Sequence, residues 1–299
     1  MVWQEFHTNI GIGNQLFMYG AAYALAKREK QKMCLFVTMS KMPTRPFCLN
    51  QFSLDQHTIS CKLMLSIIPY GRIRKILVGM VHFVFQRLPN SYFRHEKLGT
   101  ARIFEPFPQG KRHYYIFGNS ESYRYIDDVL YELREQYKPN FDVSDKTKNM
   151  WESIRRDKNA VALHIRRGDF VRINRSSPLS YYENSIKYHK QRNPHARFYL
   201  LSEDEEVLRH FQARDDIIHI DLSGEFCQDI VEWYCLVQCK HHILSSSTFS
   251  WWAAVLSETD ESVITIPSEE VYEHFNDQTE NLAVKYHDFY RPKWIPVSL

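Results

Sequence analysis

Short apolar runs ending in polar or charged residues recur along this chain, and stretches with helical apolar spacing separate them. Val2 to His7 reads as a first strand, Asn9-Ile10-Gly11-Ile12-Gly13 as a turn, and Asn14 to about Lys30 as a helix. In that helix Leu16, Tyr19, Ala22, Tyr23 and Ala26 fall at helical spacing. Lys32 to Thr38 returns as a second strand. This order opens a Rossmann-like unit, although Leu16 stands where the dinucleotide fingerprint needs its third glycine. From Lys41 to about Arg112 the pattern is irregular, and short helices and loops are expected. Tyr114 to Phe117 reads as a strand and Asp127 to Tyr137 as a helix; Pro139 and the polar stretch Asn140 to Lys148 suit an interdomain connection.

The second half alternates more regularly. Strands are expected at Ala160 to Ile165, Phe198 to Leu201, Ile217 to Ile220, His242 to Leu244 and Val263 to Ile266. Helices are expected around Leu179 to Gln191, Asp204 to Gln212, Asp229 to Lys240 and Thr248 to Ser257. Such alternation predicts a mostly parallel sheet covered on both faces. The expected fold is therefore α/β, with two Rossmann-like domains, 1–145 and 146–299, facing a cleft.

Composition supports a folded protein: 299 residues with 44% hydrophobic content can fill two cores. A net charge of +3 is too small for general nucleic-acid binding, so any phosphate preference must come from placed residues. Cys34, Cys48, Cys61, Cys227, Cys235 and Cys239 form no Cys-x-x-Cys pair, and buried thiols in a reducing compartment are expected. Cys235, Cys239, His241 and His242 lie in an apolar helical context that suits core packing better than zinc binding, and no structural metal is expected. Gln4, Glu5 and His7 interrupt the amino terminus, and no apolar stretch reaches membrane-spanning length. A cytoplasmic location is expected. Leu63 to Leu88 is apolar but broken by Arg72, Arg74, Lys75 and Arg87. It reads either as a helix packed on the protein body or as a basic amphipathic segment in peripheral contact with a membrane surface.

Polar clusters at strand ends carry the candidate chemistry, because ligands of open α/β sheets bind beyond the carboxyl ends of strands. His164-Ile165-Arg166-Arg167-Gly168-Asp169 follows the run Ala160 to Leu163. Two guanidiniums there suit a phosphorylated substrate, or else form a solvated ion pair with Asp169. Gly11 to Phe17 joins glycines that allow close backbone approach to a helix amino terminus. Ser245-Ser246-Ser247-Thr248-Phe249-Ser250 opens a helix; one hydroxyl suffices for capping, and the others suit a diphosphate. Trp251 and Trp252 read as core anchors. Ser202-Glu203-Asp204 suits ribose or guanine hydrogen bonding, capping of the next helix, or both.

Three of these motifs, Gly11 to Phe17, His164 to Phe170 and Ser246 to Ala254, occur in the order seen in glycosyltransferase family 11, the α-1,2-fucosyltransferases. The chain resembles a bacterial-type member, and Asp229 to Leu256 and Arg291-Pro292-Lys293-Trp294 add to the likeness. Asn9-Ile10-Gly11 stands where many members carry a further glycine, and Glu203 where Asp is frequent. The resemblance implies a GT-B fold, GDP-fucose as donor, inverting transfer to the 2-hydroxyl of a galactoside acceptor, and no cofactor or metal. It implies that Arg166 holds the β-phosphate, that His164, Arg167, Ser247, Thr248 and Phe249 contact the nucleotide, and that Asn14 and Gln15 face the fucose and diphosphate; Ser202, Asp204 and Ser246 join the expected nucleotide site by their strand-end positions. The donor would bind the second domain and the acceptor the first.

Charge accumulates on the departing diphosphate during such a transfer, so fixed cations and N–H donors there supply stabilisation; Arg166 is the first catalytic candidate. Asp169 is the nearest motif candidate for the base, with a brace for Arg166 or Arg167 as its other role, and Glu5 and His7 are further candidates. Transfer of another GDP-sugar, another linkage, or a non-catalytic glycan-binding role are the alternatives. A binding protein would need no leaving-group cation, yet both arginines are present.

Overall fold

The computed structural model describes residues 1–7, 10–38, 45–64, 72–96, 101–167, 171, 176–275 and 282–299. The chain divides into two compact units, Met1–Asn140 and Phe141–Leu299. Each is built on its own parallel sheet, as the α/β expectation requires.

The first unit holds β1 (Val2–His7), α1 (Ile12–Arg28), β2 (Met33–Thr38), β3 (Ile59–Met64), α2 (Arg72–Arg87), β4 (Ser91–His95), β5 (His113–Phe117) and α3 (Leu130–Gln136). Its strands lie in the order β3-β2-β1-β5-β4, all neighbours parallel. Every residue of β2 is buried, as expected of an interior parallel strand covered on both faces. The Lys41 to Arg112 region corrects the expectation of short helices and loops, since it supplies two edge-side strands and the 16-residue helix α2. A strand hidden among basic and aromatic residues shows little two-residue alternation. Cys34 also departs from the expectation of thiols throughout, being disulfide-bonded, whereas Cys48, Cys227, Cys235 and Cys239 are free.

The second unit begins with α4 (Asp145–Arg156), capped by Ser144, where the polar stretch had suggested a linker. There follow β6 (Ala160–His164), α5 (Leu179–Arg192), β7 (Arg197–Leu201), α6 (Glu205–Phe211), β8 (Ile217–His219), α7 (Gln228–Val237), β9 (His241–Ile243), α8 (Thr248–Ser257), β10 (Ile264–Pro267), α9 (Glu269–Phe275), α10 (Leu282–Phe289) and β11 (Ile295–Val297). The strand order is β11-β10-β9-β6-β7-β8. Counted within the unit this is 6-5-4-1-2-3, the doubly wound Rossmann order, with its reversal between β6 and β9. Val161, Leu163, Tyr181, Tyr182, Phe198 and Ile243 form one core with helix α5. Trp251 and Trp252 are wholly buried, and Trp251 donates to the Phe289 carbonyl at 2.7 Å, so both anchor the core. No described helix is long and apolar enough to cross a membrane.

Candidate active site

The reversal between β6 and β9 brings the arginine motif beside the serine run. A crevice opens at such a point because the chains leaving two adjacent strands diverge to opposite faces. His164 ends β6, and its Nδ1 lies 3.0 Å from Ser245 Oγ, just beyond β9. The imidazole stacks on Phe249 with ring centroids 5.1 Å apart. Burial, and secondarily Arg166, drives the His164 pKa down to about 3, so the ring is neutral at physiological pH. It is a hydrogen-bonding plate rather than a third cation.

The two arginines are held differently. Arg166 Nη1 pairs with Glu203 Oε1 at 3.0 Å, and the Glu203 side chain is 56% exposed. The Arg166 side chain itself is only 20% exposed. Arg167 instead donates from Nε to Asp204 at 3.1 Å and from Nη2 to Glu206 at 3.0 Å. Asp204 in turn caps α6 by accepting from the Glu206 and Val207 amides. Ser202 is buried and donates to the Ile165 carbonyl at 2.9 Å. Ser202, Asp204 and Arg167 thus form a brace that fixes the backbone on which Arg166 stands.

Beyond β9, Ser247 caps α8 by accepting from the Phe249 amide. Ser250 Oγ lies 3.2 Å from Ser245 Oγ and donates to the Ser247 carbonyl at 3.2 Å. Ser246 is buried, while Thr248 and Phe249 are partly exposed at the helix start. Trp233 holds the Phe249 carbonyl from below at 3.0 Å. The structure therefore gathers His164, Arg166, Arg167, Ser202, Asp204, Ser246, Ser247, Thr248 and Phe249 around adjoining strand ends. Asp169 lies outside the described residues.

In the first unit the strand order reverses between β1 and β5, and a second polar cluster sits there. Asn14, on the first turn of α1, donates from Nδ2 to Glu121 Oε1 at 3.1 Å; Asn119 Nδ2 donates to the same oxygen at 3.0 Å. Arg102 Nε reaches Glu121 Oε2 at 3.1 Å. Glu96, just past β4, accepts from the Asn119 amide, while its Oε1 is buried with no hydrogen-bond partner. Burial, reinforced by Glu121, lifts the Glu96 pKa to about 7. Glycine is required at position 118: φ is +155°, and a Cβ there would lie 2.3 Å from Glu96. The polar run Gly118-Asn119-Ser120-Glu121 directly after a strand is the sequence signal for this cluster.

Two first-unit expectations change. Gln15 is buried and donates to the Ile10 and Pro46 carbonyls, each at 2.9 Å, while accepting from the Cys48 amide at 2.8 Å. Its amide ties the chain around Pro46 to α1. Glu5 is wholly buried: its Oε2 accepts from the Tyr115 hydroxyl at 2.6 Å and lies 2.7 Å from His82 Nε2, and its Oε1 accepts from Thr38. Glu5 is a core brace, which withdraws it as a base; the His7 side chain lies outside the described residues.

Among the described residues no group of three or more His, Cys, Asp or Glu is gathered as for a metal. The Cys235 to His242 group packs instead. Burial raises the Cys235 thiol to about 12 and the Cys239 thiol well above its usual range. His242 Nε2 lies 2.7 Å from Ser257 Oγ.

Known proteins with similar sequences are glycosyltransferases. The chain is 26% identical to the O-antigen biosynthesis glycosyltransferase WbnK of Escherichia coli, over 86% of this chain and 91% of that one. It is 27% identical to an alpha-1,2-colitosyltransferase of Escherichia coli, over 86% and 89%. A galactoside alpha-(1,2)-fucosyltransferase 1 of Saimiri boliviensis boliviensis matches at 22% identity, over 56% and 49%. Among solved structures, the fucosyltransferase NodZ from Bradyrhizobium matches at 13% identity and a TM-score of 0.49, over 85% of this chain and 92% of that one. The profile of glycosyl transferase family 11 spans residues 72–298, both arginines and the serine run included, and this chain belongs to that family of glycosyltransferases.

Proposed function

We propose that this glycosyltransferase moves L-fucose from GDP-fucose to the 2-hydroxyl of a galactose-containing glycan, with inversion at the anomeric carbon. The observation that carries the assignment is the place of Arg166 beside the hydroxyl-rich start of α8, at the Rossmann reversal of the second unit. In the reaction the acceptor oxygen forms a bond to the anomeric carbon as the bond from that carbon to the β-phosphate oxygen breaks. The departing GDP takes the electron pair and gains negative charge. Arg166 meets that charge by exchanging Glu203 for the phosphate oxygens, and the Ser246 to Phe249 segment offers hydroxyls and amide N–H groups to the same diphosphate. A neutral His164 stacked on Phe249 gives the nucleotide a flat, hydrogen-bonding neighbour. Arg167, Ser202 and Asp204 hold this surface still.

The first unit receives the acceptor. Carboxylates and amides suit sugar hydroxyls as guanidiniums suit phosphate, and Asn14 and Glu121 supply both. The acceptor proton passes to a carboxylate. Asp169 is the motif candidate, and Glu96, whose pKa of about 7 matches neutral operation, is a second. Colitose is the second donor sugar to consider, because the relative named for colitosyl transfer matches across most of this chain.

Incubation with GDP-fucose, GDP-colitose and a panel of galactosides, followed by linkage determination of the product, tests the assignment. Fucose at the 2-position of galactose, formed equally well in a chelator, is expected. Preference for GDP-colitose would move the donor assignment, and absence of transfer to any terminal galactose would remove the acceptor assignment.

A further inference from the structure

Helix α2 has two apolar faces and only one of them is used. Phe85 is buried against Tyr115 with ring centroids 4.6 Å apart, and Val81 and Leu88 pack on the same cluster. At about 100° per residue, a second apolar face lies roughly 120° around the helix from this one. There Ile73, Ile76, Met80, Phe83 and Val84 are 69%, 60%, 57%, 56% and 49% exposed. They fall at the i, i+3, i+7 spacing of one stripe, about 100° wide. Half of the large apolar side chains exposed among the described residues stand on this one helix.

Charge selects what covers the stripe. Arg72, Lys75 and Arg87 are exposed on the helix, and the Arg87 guanidinium lies 3.6 Å from the centroid of the Phe83 ring. The sequence holds no Asp or Glu between Asp55 and Glu96, while Lys62, Arg72, Arg74, Lys75, Arg87 and Arg94 fall in that interval. An apolar stripe bordered by cations matches the interface of an anionic bilayer, where apolar side chains enter the acyl boundary and the cations meet lipid phosphates. A second copy of the chain would instead oppose Arg72, Lys75 and Arg87 with their own equivalents, with no carboxylate on the helix to compensate.

We infer that α2 lies in the plane of an anionic membrane surface, inserting Ile73, Ile76, Met80, Phe83 and Val84 and holding lipid phosphates with Arg72, Lys75 and Arg87. This docking stands independently of which sugar is transferred. The test is co-sedimentation of the full chain with vesicles of phosphatidylcholine alone or mixed with phosphatidylglycerol, at about 0.1 M salt, where screening acts beyond about 10 Å. Binding at least tenfold stronger to the anionic vesicles is expected. It should be lost in Met80→Ser/Phe83→Ser and weakened at least tenfold in Arg72→Glu/Lys75→Glu, with circular dichroism and melting temperature unchanged. A Phe83→Trp variant should show blue-shifted emission on anionic vesicles only. Absence of binding to the anionic vesicles, or binding indifferent to the double serine substitution, would overturn the inference. So would a concentration-dependent dimer that the same substitution dissolves, since that outcome assigns the stripe to a second copy.

Discussion

The two units place polar clusters at equivalent points of two parallel sheets and fill them with different side chains. At the β6/β9 reversal stand Arg166, a run of hydroxyls and a neutral imidazole; at the β1/β5 reversal stand Glu96, Glu121, Asn14, Asn119 and Arg102. The strand order brings strand ends of diverging chains side by side in both cases, and the residues leaving the strands set the chemistry there. A cationic crevice with amide donors suits a diphosphate, whereas carboxylates and amides suit neutral hydroxyl groups. The proposed division of labour between donor and acceptor rests on a few strand-end side chains on a shared architecture.

The sharpest way to break the contrast is to remove the cation. Arg166→Ala should lower transfer about a thousandfold while leaving the melting temperature intact, and Arg166→Lys should recover only part of the loss because a point charge cannot grip two oxygens. Near-normal turnover in steady-state assays of the alanine variant would dissolve the assigned donor role. Next in size, Glu96→Gln should lower kcat about a hundredfold and erase the limb of the pH–rate profile near 7, whereas Asp169→Asn should keep that limb.

Proton linkage separates the units in the opposite sense. Burial pushes His164, His189 and His242 from their usual value down to about 3, so between pH 6.5 and 3 the unfolded second unit binds more protons than the native one. Stability from these rings is present above pH 6.5 and is lost as pH falls through that window. Glu96 behaves the other way: its native pKa is raised from 4.5 to about 7, so its contribution turns unfavourable as pH rises between those values. Denaturant melts from pH 4 to 8 should show His189→Gln flattening the acid limb and Glu96→Gln raising stability on the alkaline side. The smallest effect is structural. Tyr115→Phe removes one of the bonds to the buried Glu5 carboxylate and should cost about 1–2 kcal/mol, read as a lower unfolding midpoint with transfer retained.

Where sequence and structure part company, the cause is local. Helix α2 falls within the Leu63 to Leu88 segment, but its outward stripe is as apolar as its inward one, so periodicity alone does not choose which face is buried. Strands β3 and β4 were masked by Lys62, Arg94 and His95 within them. Ser144 and Asp145, which suggested a linker, are the cap and first residue of α4.

By itself the sequence determined the alternation of strands and helices in the second half, the strand-end position of His164 to Arg167, and the helix start at Thr248. Those features are local, set by apolar spacing and by the capping preference of hydroxyl residues. Only the tertiary structure decided that β6 and β9 are neighbours, which joins His164 to Ser245 across the chain. It likewise brought Asn14, Glu96 and Glu121 together, and it set Arg166 against Glu203 while Arg167 meets Asp204 and Glu206. Two adjacent guanidiniums read alike in a sequence; their difference lies in partners that strand order and packing supply.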